Sequence, residues 1–223
     1  MQNELFEPAP RAAHERLAPG ASLLRAFAAR QAQALLEDLR ELTARSPFRC
    51  MSTPGGLRMS VAMTNCGDAG WLTDRTGYRY AALDPVSDAP WPAMPSAFRE
   101  LATAAAAAAG FSAFAPDACL ISRYEPGARL SLHQDKDETA RSLAAGLPVV
   151  SISIGDSARF LFGGPRRRDP VEALTLDSGD AFVFGGPARL RYHGVSRILE
   201  GTAPPALGMV GRINLTLRQY DLG

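Results

Sequence analysis

Histidine, lysine and cysteine are scarce in this chain. Only three histidines and one lysine, Lys136, occur among 223 residues. The three cysteines, Cys50, Cys66 and Cys119, are odd in number and widely separated. That pattern excludes a disulfide framework and zinc-knuckle spacing, and it leaves thiols in a reducing compartment as the reading. Acidic and basic residues nearly balance at a formal net charge of +1. No global basic field marks a nucleic-acid partner, so such binding must rest on local arginines and on stacking. The longest apolar run, around Ala104–Ala109, is far shorter than the roughly 18 residues of a membrane span. The N-terminus carries Glu4 and Glu7 where a secretory signal would be basic. The expectation is a soluble, cytoplasmic monomer with no membrane partner.

Apolar residues make up 46% of the chain and charged ones 21%, enough for one large domain with a real core. Residues 1–20 are rich in Pro and Ala and read as irregular, leaving 21–223 as a single domain. Leu35, Leu36, Leu39 and Leu42 recur at helical spacing within 28–45, before Pro47. Thr-Pro-Gly-Gly, Asn-Cys-Gly and Ala-Pro-Trp-Pro then punctuate residues 46–95, which suggests an irregular lobe or lid outside the core sheet. Ser96 is expected to cap a second helix that runs through the alanines and stops at Gly110. From 116 to 220 the pattern becomes short strands: 118–124, 128–133, 149–154, 159–162, 173–176, 181–184 and 213–220. Regular short strands separated by Gly, Pro and Asp point to an antiparallel sandwich or jelly roll. With two helices on one sheet the class is α+β.

Two of the three histidines belong to the pattern His133-Gln-Asp135, 57 residues, His193. Two imidazoles and one carboxylate can occupy one face of Fe(II) and leave the other positions open. On a strand, Ser131, His133 and Asp135 share a face, so imidazole and carboxylate stand side by side. A polar strand end with an incidental histidine would look the same. The segment Arg212-Ile-Asn-Leu-Thr-Leu-Arg218 adds weight. Arg212, Asn214, Thr216 and Arg218 share one face of it, while Ile213, Leu215 and Leu217 share the other. Arginines facing into a core need a partner, and a dicarboxylate meets that need through bidentate bonds. The bland alternative is a salt-bridged outer strand face.

These segments, together with Thr53-Pro-Gly-Gly, Met59-Ser-Val-Ala-Met-Thr-Asn-Cys-Gly67, Trp91-Pro-Ala-Met-Pro95, Leu130-Ser-Leu-His-Gln-Asp-Lys-Asp-Glu138 and Tyr192-His-Gly194, closely resemble the AlkB family of Fe(II)- and 2-oxoglutarate-dependent nucleic-acid demethylases. The likeness spans about residues 20–220. It implies a double-stranded β-helix (jelly roll) with packed N-terminal helices and a nucleotide-recognition lid over 46–95. It implies iron on His133, Asp135 and His193, with 2-oxoglutarate and oxygen as co-substrates. Arg212 would pair with the distal carboxylate of 2-oxoglutarate, Arg218 would lie near its metal-chelating end, and Tyr124 and Asn214 would hydrogen-bond it. Ser122 would fall at a further 2-oxoglutarate contact, but members carry Asn there and its shorter hydroxyl cannot span the same gap. Leu57 replaces a frequent aromatic residue and Phe184 a frequent Trp.

For the substrate, the resemblance implies Trp71 over the target base and Asp137 at the base edge beside Lys136. Tyr78, Tyr80 and Arg167 would sit on the phosphate backbone, with help from Thr53. Without the likeness these are lid core, strand face and solvated charge. The implied reaction is oxidative demethylation of 1-methyladenine and 3-methylcytosine in single-stranded DNA, with RNA as a further candidate, releasing succinate, carbon dioxide and formaldehyde. Two other readings remain at this point. One is a 2-oxoglutarate-dependent hydroxylase of a protein or small molecule; the other is a jelly-roll binding protein or zinc hydrolase, in which Arg212 and Arg218 lack a carboxylate partner.

Overall fold

The computed structural model describes residues 12–221. The chain enters through β1 (His14–Ala18), which pairs with β2 (Ala21–Leu24). Part of the segment expected to be irregular is therefore an edge strand. Arg25 fixes it by bridging Glu15 at 2.7 Å and the buried Asp180 at 2.8 Å. Residues 1–11, also assigned to that segment, lie outside the described residues, as do 222 and 223.

Helix α1 (Ala32–Arg45) buries Leu35, Leu36, Leu39 and Leu42, the four positions that its periodicity marks. The chain then forms β3 (Arg49–Ser52) and β4 (Arg58–Gly67), the hairpin β5 (Gly70–Asp74) and β6 (Gly77–Ala81), and the short pair β7 (Leu83–Asp84) and β8 (Ala89–Pro90). Helix α2 (Ser96–Ala108) follows. Ser96 is its first residue and makes no capping bond; Pro95 occupies the cap, so the expected serine cap is corrected.

The remaining elements are β9 (Ala118–Tyr124), β10 (Leu130–His133), the short α3 (Ala140–Ala144), β11 (Val149–Gly155), β12 (Ser157–Phe162), β13 (Glu172–Leu176), β14 (Ala181–Phe184), β15 (His193–Leu199) and β16 (Arg212–Arg218). Eight strands form a major sheet in the order β1-β2-β14-β11-β16-β9-β4-β3, and four form a minor sheet, β10-β15-β12-β13. All pairings are antiparallel, the jelly-roll arrangement. One expectation fails here. Residues 58–67 are part of the major sheet, paired with β9, and only the two small hairpins after them lie apart as a lid. The turn residues that flank β4 gave the whole stretch a loop-like composition.

Alternation divides the core in two. Ile213, Leu215 and Leu217 of β16, with Val150, Ile152 and Ile154 of β11, meet α1 and α2 on the outer face of the major sheet. Phe160, Phe162, Phe182, Phe184 and Val195 fill the space between the sheets. The inner face of β16 is then left with Arg212, Asn214, Thr216 and Arg218. Hydrophobic burial on one face thereby fixes four polar side chains inside the sandwich. No helix among the described residues is long and apolar enough to cross a membrane.

Candidate metal and co-substrate site

Strands β10 and β15 place His133 directly opposite His193. Gly194 permits this approach: a Cβ there would come within 2.6 Å of the Leu130 carbonyl oxygen. The imidazole centroids lie 4.4 Å apart. Asp135, just past β10, turns Oδ1 to 3.7 Å from the Nε2 of each histidine. One donor atom from each residue falls within 4.8 Å of the others, a separation one ion can bridge.

The donor chemistry fits a divalent metal. Each Nδ1 lies beside a backbone carbonyl, Ser131 at 2.9 Å and Arg191 at 3.0 Å. That contact holds the proton on Nδ1 and leaves the Nε2 lone pair facing Asp135. Burial, aided by His133, pushes the His193 imidazole down to about 4, so it is neutral near pH 7. Burial opposes ionisation of Asp135, but Arg218 overrides it and, with the histidines, holds the carboxyl well below the ordinary range. The Arg218 Nε and Nη2 reach Asp135 Oδ2 at 3.1 and 2.8 Å. One carboxylate oxygen is thus fixed by the protein and the other is left toward the histidines.

The buried His193 makes a prediction about acid stability. The unfolded imidazole titrates near 6.5 and the folded one near 4. The unfolded chain binds that proton more readily, so the contribution is intact above about 6.5 and is lost as pH falls toward 4. The expected slope for one such group is on the order of 1 kcal/mol per pH unit. Denaturant unfolding of metal-free protein across this window checks it, with His193→Gln expected to flatten the curve.

Two cavities share the wall formed by His133, Asp135 and Arg218. The first is a narrow space of about 60 Å³ between the sheets, lined by Ser122, Tyr124, Ser151, Arg212, Asn214 and Thr216 with an apolar rim that includes Leu130, Phe160 and Phe184. Arg212 is only 1% exposed and forms no ion pair among the described residues. Its guanidinium donates to Ser153 Oγ at 2.6 Å and to the carbonyls of Asp156 and Leu176, both at 3.3 Å. Among the described residues its buried Nε has no partner. Burial pushes its pKa down to about 10, against the pull of Tyr124, Asp180 and Asp177. A buried cation with a free donor, beside a cavity, calls for an anionic ligand. Burial also pushes the Tyr124 phenol up to about 12, so it remains a neutral hydrogen-bonding group. Asn214 already donates to Ser151 Oγ at 2.8 Å and accepts from Thr216 at 2.8 Å.

The second cavity, about 660 Å³, lies between the lid and the edge of the minor sheet. Thr53, Trp71, Tyr78, Tyr80, Asp137 and Arg167 all line it. Trp71 stacks on Tyr78 at 5.9 Å, and its indole N–H donates to Asp137 Oδ2 at 2.8 Å. Tyr78 is half exposed at the mouth. Arg167 donates to the Leu132 carbonyl and lies over the Tyr192 ring. The Thr53 hydroxyl accepts from the Leu57 amide, which leaves Leu57 exposed at a turn. Tyr80 requires a correction. Its hydroxyl points inward, accepting from Arg218 at 3.3 Å and donating to Glu138 at 3.4 Å, so it is not available to a phosphate backbone.

Glu138 and Arg189 are site residues that sequence reasoning overlooked. Glu138 Oε1 lies 2.9 Å from Arg189 Nη2 and 3.1 Å from Arg218 Nε, and Arg189 also donates to the Asp135 carbonyl at 2.5 Å. The available signal was Glu138 closing the motif with Asp135 and Asp137. Nothing local marks Arg189.

Residues 20–218 match the 2OG-Fe(II) oxygenase superfamily. The "Alpha-ketoglutarate-dependent dioxygenase AlkB" of Salmonella typhimurium is 56% identical over 207 residues, covering 92% of each chain. The protein of that name from Escherichia coli K12 is 53% identical over 205 residues, again covering 92% of each. The chain belongs to the AlkB family. The solved structure titled "The structure of OsALKBH1" superposes with a TM-score of 0.83 at 36% identity, covering 92% of this chain and 99% of that one. As a member, the protein is an Fe(II)- and 2-oxoglutarate-dependent dioxygenase. That membership accounts for a His-Asp-His cluster beside a cavity that ends in an unneutralised arginine.

Proposed function

We propose that this protein removes methyl groups oxidatively from N-methylated bases, 1-methyladenine and 3-methylcytosine above all, in single-stranded DNA. The carrying observation is the shared wall: one metal-binding cluster faces an arginine-ended cavity on one side and an aromatic, acid-edged cavity on the other. Iron would be held by His133, Asp135 and His193, and 2-oxoglutarate by Arg212 with Tyr124 and Asn214. Bound there, with oxygen, they supply an oxidant able to hydroxylate a methyl carbon.

The protein's own residues do the rest. Trp71 offers a flat platform on which any base can stack, held in orientation by Asp137. The second oxygen of Asp137 can accept an exocyclic N–H and offset the positive charge that methylation leaves on adenine or cytosine. Leu130, Phe160 and Phe184 exclude water around the inner cavity. Tyr78 and Arg167 stand at the rim where a phosphate backbone would pass. A base in duplex must be flipped to enter, and methylation that spoils pairing lowers that cost.

The test is succinate production from 2-oxoglutarate with paired oligonucleotides. Methylated strands are expected to stimulate it and unmethylated strands are not. A hydroxylase of proteins or small molecules would ignore both. Asp137→Asn sharpens the assignment, because Asn can still accept the Trp71 N–H but carries no charge. Activity on 1-methyladenine should fall about 10- to 100-fold, the worth of a bond to a charged group, and fall less on 3-methylthymine. Equal loss on both bases would place Asp137 in the scaffold alone. Trp71→Ala should weaken binding of the methylated strand by about 1–3 kcal/mol in a direct binding assay.

A further inference from the structure

Trp71 and Tyr80 are directly paired residues on the two strands of the lid hairpin. Both line the outer cavity, but their polar atoms end in different surroundings. Trp71 lines the outer cavity with its indole on Asp137, whereas Tyr80 sends its hydroxyl into the buried ion network behind Asp135. The Tyr80 ring stacks on Tyr220 at 4.6 Å, just beyond the end of β16, which anchors the side chain from the core side. Glu138 Oε1 collects Arg189, Arg218 and the Tyr80 hydroxyl. Arg218 in turn divides its donors among Asp135, Glu138 and Tyr80.

We infer that Tyr80 is a positioning residue of the metal centre, carried on the lid, whose hydroxyl links the seat of the lid to the orientation of the ligand Asp135. The geometry requires the link to act both ways. Arg218 Nη1 is bonded to the Tyr80 oxygen, while Nη2 and Nε of the same rigid guanidinium fix Asp135 Oδ2. If the hairpin lifts, Nη1 and Glu138 lose a partner together, and the planar guanidinium that sets Asp135 is left with its bonds to Asp135 and Glu138 alone, one restraint fewer on its orientation. Conversely, an ion on Asp135 Oδ1 holds that carboxylate, and through it the position into which Tyr80 must dock. Trp71, opposite Tyr80 on the hairpin, moves with it. A base on the Trp71 platform therefore favours the same arrangement that readies the ligand set. Such coupling is reciprocal, since whatever metal does for the lid, the lid does for metal.

The inference rests on His133, Asp135 and His193 being metal ligands, so the first experiment uses zinc(II) and no nucleic acid. Amide exchange of residues 70–81 is followed by mass spectrometry in the full chain, with and without zinc(II). Zinc is expected to slow lid exchange about fivefold or more, the lower range of measured couplings, and Tyr80→Phe should reduce that effect to less than about twofold. By linkage, zinc affinity should fall in Tyr80→Phe by a similar factor, while exchange in β11 and β16 stays as in the natural chain. Zinc that binds without slowing the lid, or a Tyr80→Phe lid that responds fully, overturns the inference and leaves the ligand assignment standing. Failure of zinc to bind the natural chain overturns both.

Turnover supplies the second readout. With methylated oligonucleotide, the ratio of succinate to formaldehyde is expected to rise in Tyr80→Phe, because oxidation proceeds without a well-seated base. A lower rate at an unchanged ratio would mark Tyr80 as structural only and overturn the positioning role.

Discussion

Arg212→Met is expected to leave the protein at least as stable as the natural chain when no co-substrate is bound, and to abolish its thermal stabilisation by 2-oxoglutarate. Arg212 lies on β16, fixed inward because Ile213 and Leu215 are committed to the helix-side core. It is buried, its Nε is unpartnered, and its three acceptors are all neutral. Replacing buried ionic groups with well-packed apolar ones is often neutral or stabilising by about 1–4 kcal/mol. Here no carboxylate is stranded by the change. Function should suffer in proportion. Truncating one partner of a buried charged pair costs about 2–5 kcal/mol, roughly a 30- to 4,000-fold higher 2-oxoglutarate requirement. Thermal melts with and without 2-oxoglutarate, beside steady-state titrations, measure both effects. A variant whose melting point still rises with 2-oxoglutarate as the natural chain's does would move the carboxylate contact elsewhere.

The inward face of β16 was legible in the sequence for a simple reason. Apolar and polar residues alternate without a break from Arg212 to Arg218, and a strand converts alternation directly into opposite faces. The same logic gave His133 and Asp135 a common face, although β10 ends at His133 and Asp135 follows it. Strand β15 carries His193 but offered no such pattern. Its pairing with β12 shifts register opposite Arg159 and Phe160, so two adjacent exposed residues, Ser196 and Arg197, interrupt the alternation. Strand β4 was misassigned to the lid because the turn residues on both sides dominate the local composition. Its partner, β9, lies more than 50 residues away, and only that pairing reveals it as core.

The second layer of the site was illegible for a related reason. Glu138 and Arg189 neutralise each other across the fold, and no local spacing encodes a partner so distant in the chain. The resemblance implies a phosphate-backbone role for Tyr78 and Tyr80 alike, and spacing alone, which gives them one strand face, does not tell them apart. The structure separates them by depth: Tyr78 is exposed at the tip, whereas Tyr80 reaches Arg218. Residue spacing identifies a face; distance along the hairpin decides whether that face is wet or buried.

Asp135→Ala is expected to abolish turnover and also to destabilise the folded protein, two effects that a second substitution can separate. Activity is lost because two imidazoles alone hold iron poorly and the third donor is gone. The stability loss comes from the other oxygen. Asp135 Oδ2 neutralises Arg218, and Glu138 must already serve Arg189. Removing Asp135 leaves two buried guanidinium groups sharing one carboxylate. Breaking a buried pair from one side costs about 3–5 kcal/mol, so a loss toward the lower end is expected with Glu138 still present. A bound metal ion does not enter this comparison if unfolding is measured on metal-free protein. Adding Arg218→Met should then restore much of the stability while activity stays absent, because it removes the orphaned cation without supplying a ligand. Urea unfolding of the two single variants and the double variant gives the coupling energy between the positions. If Asp135→Ala unfolds at the natural midpoint, Arg218 is neutralised by Glu138 alone. If the double variant recovers succinate production, Asp135 is not a ligand.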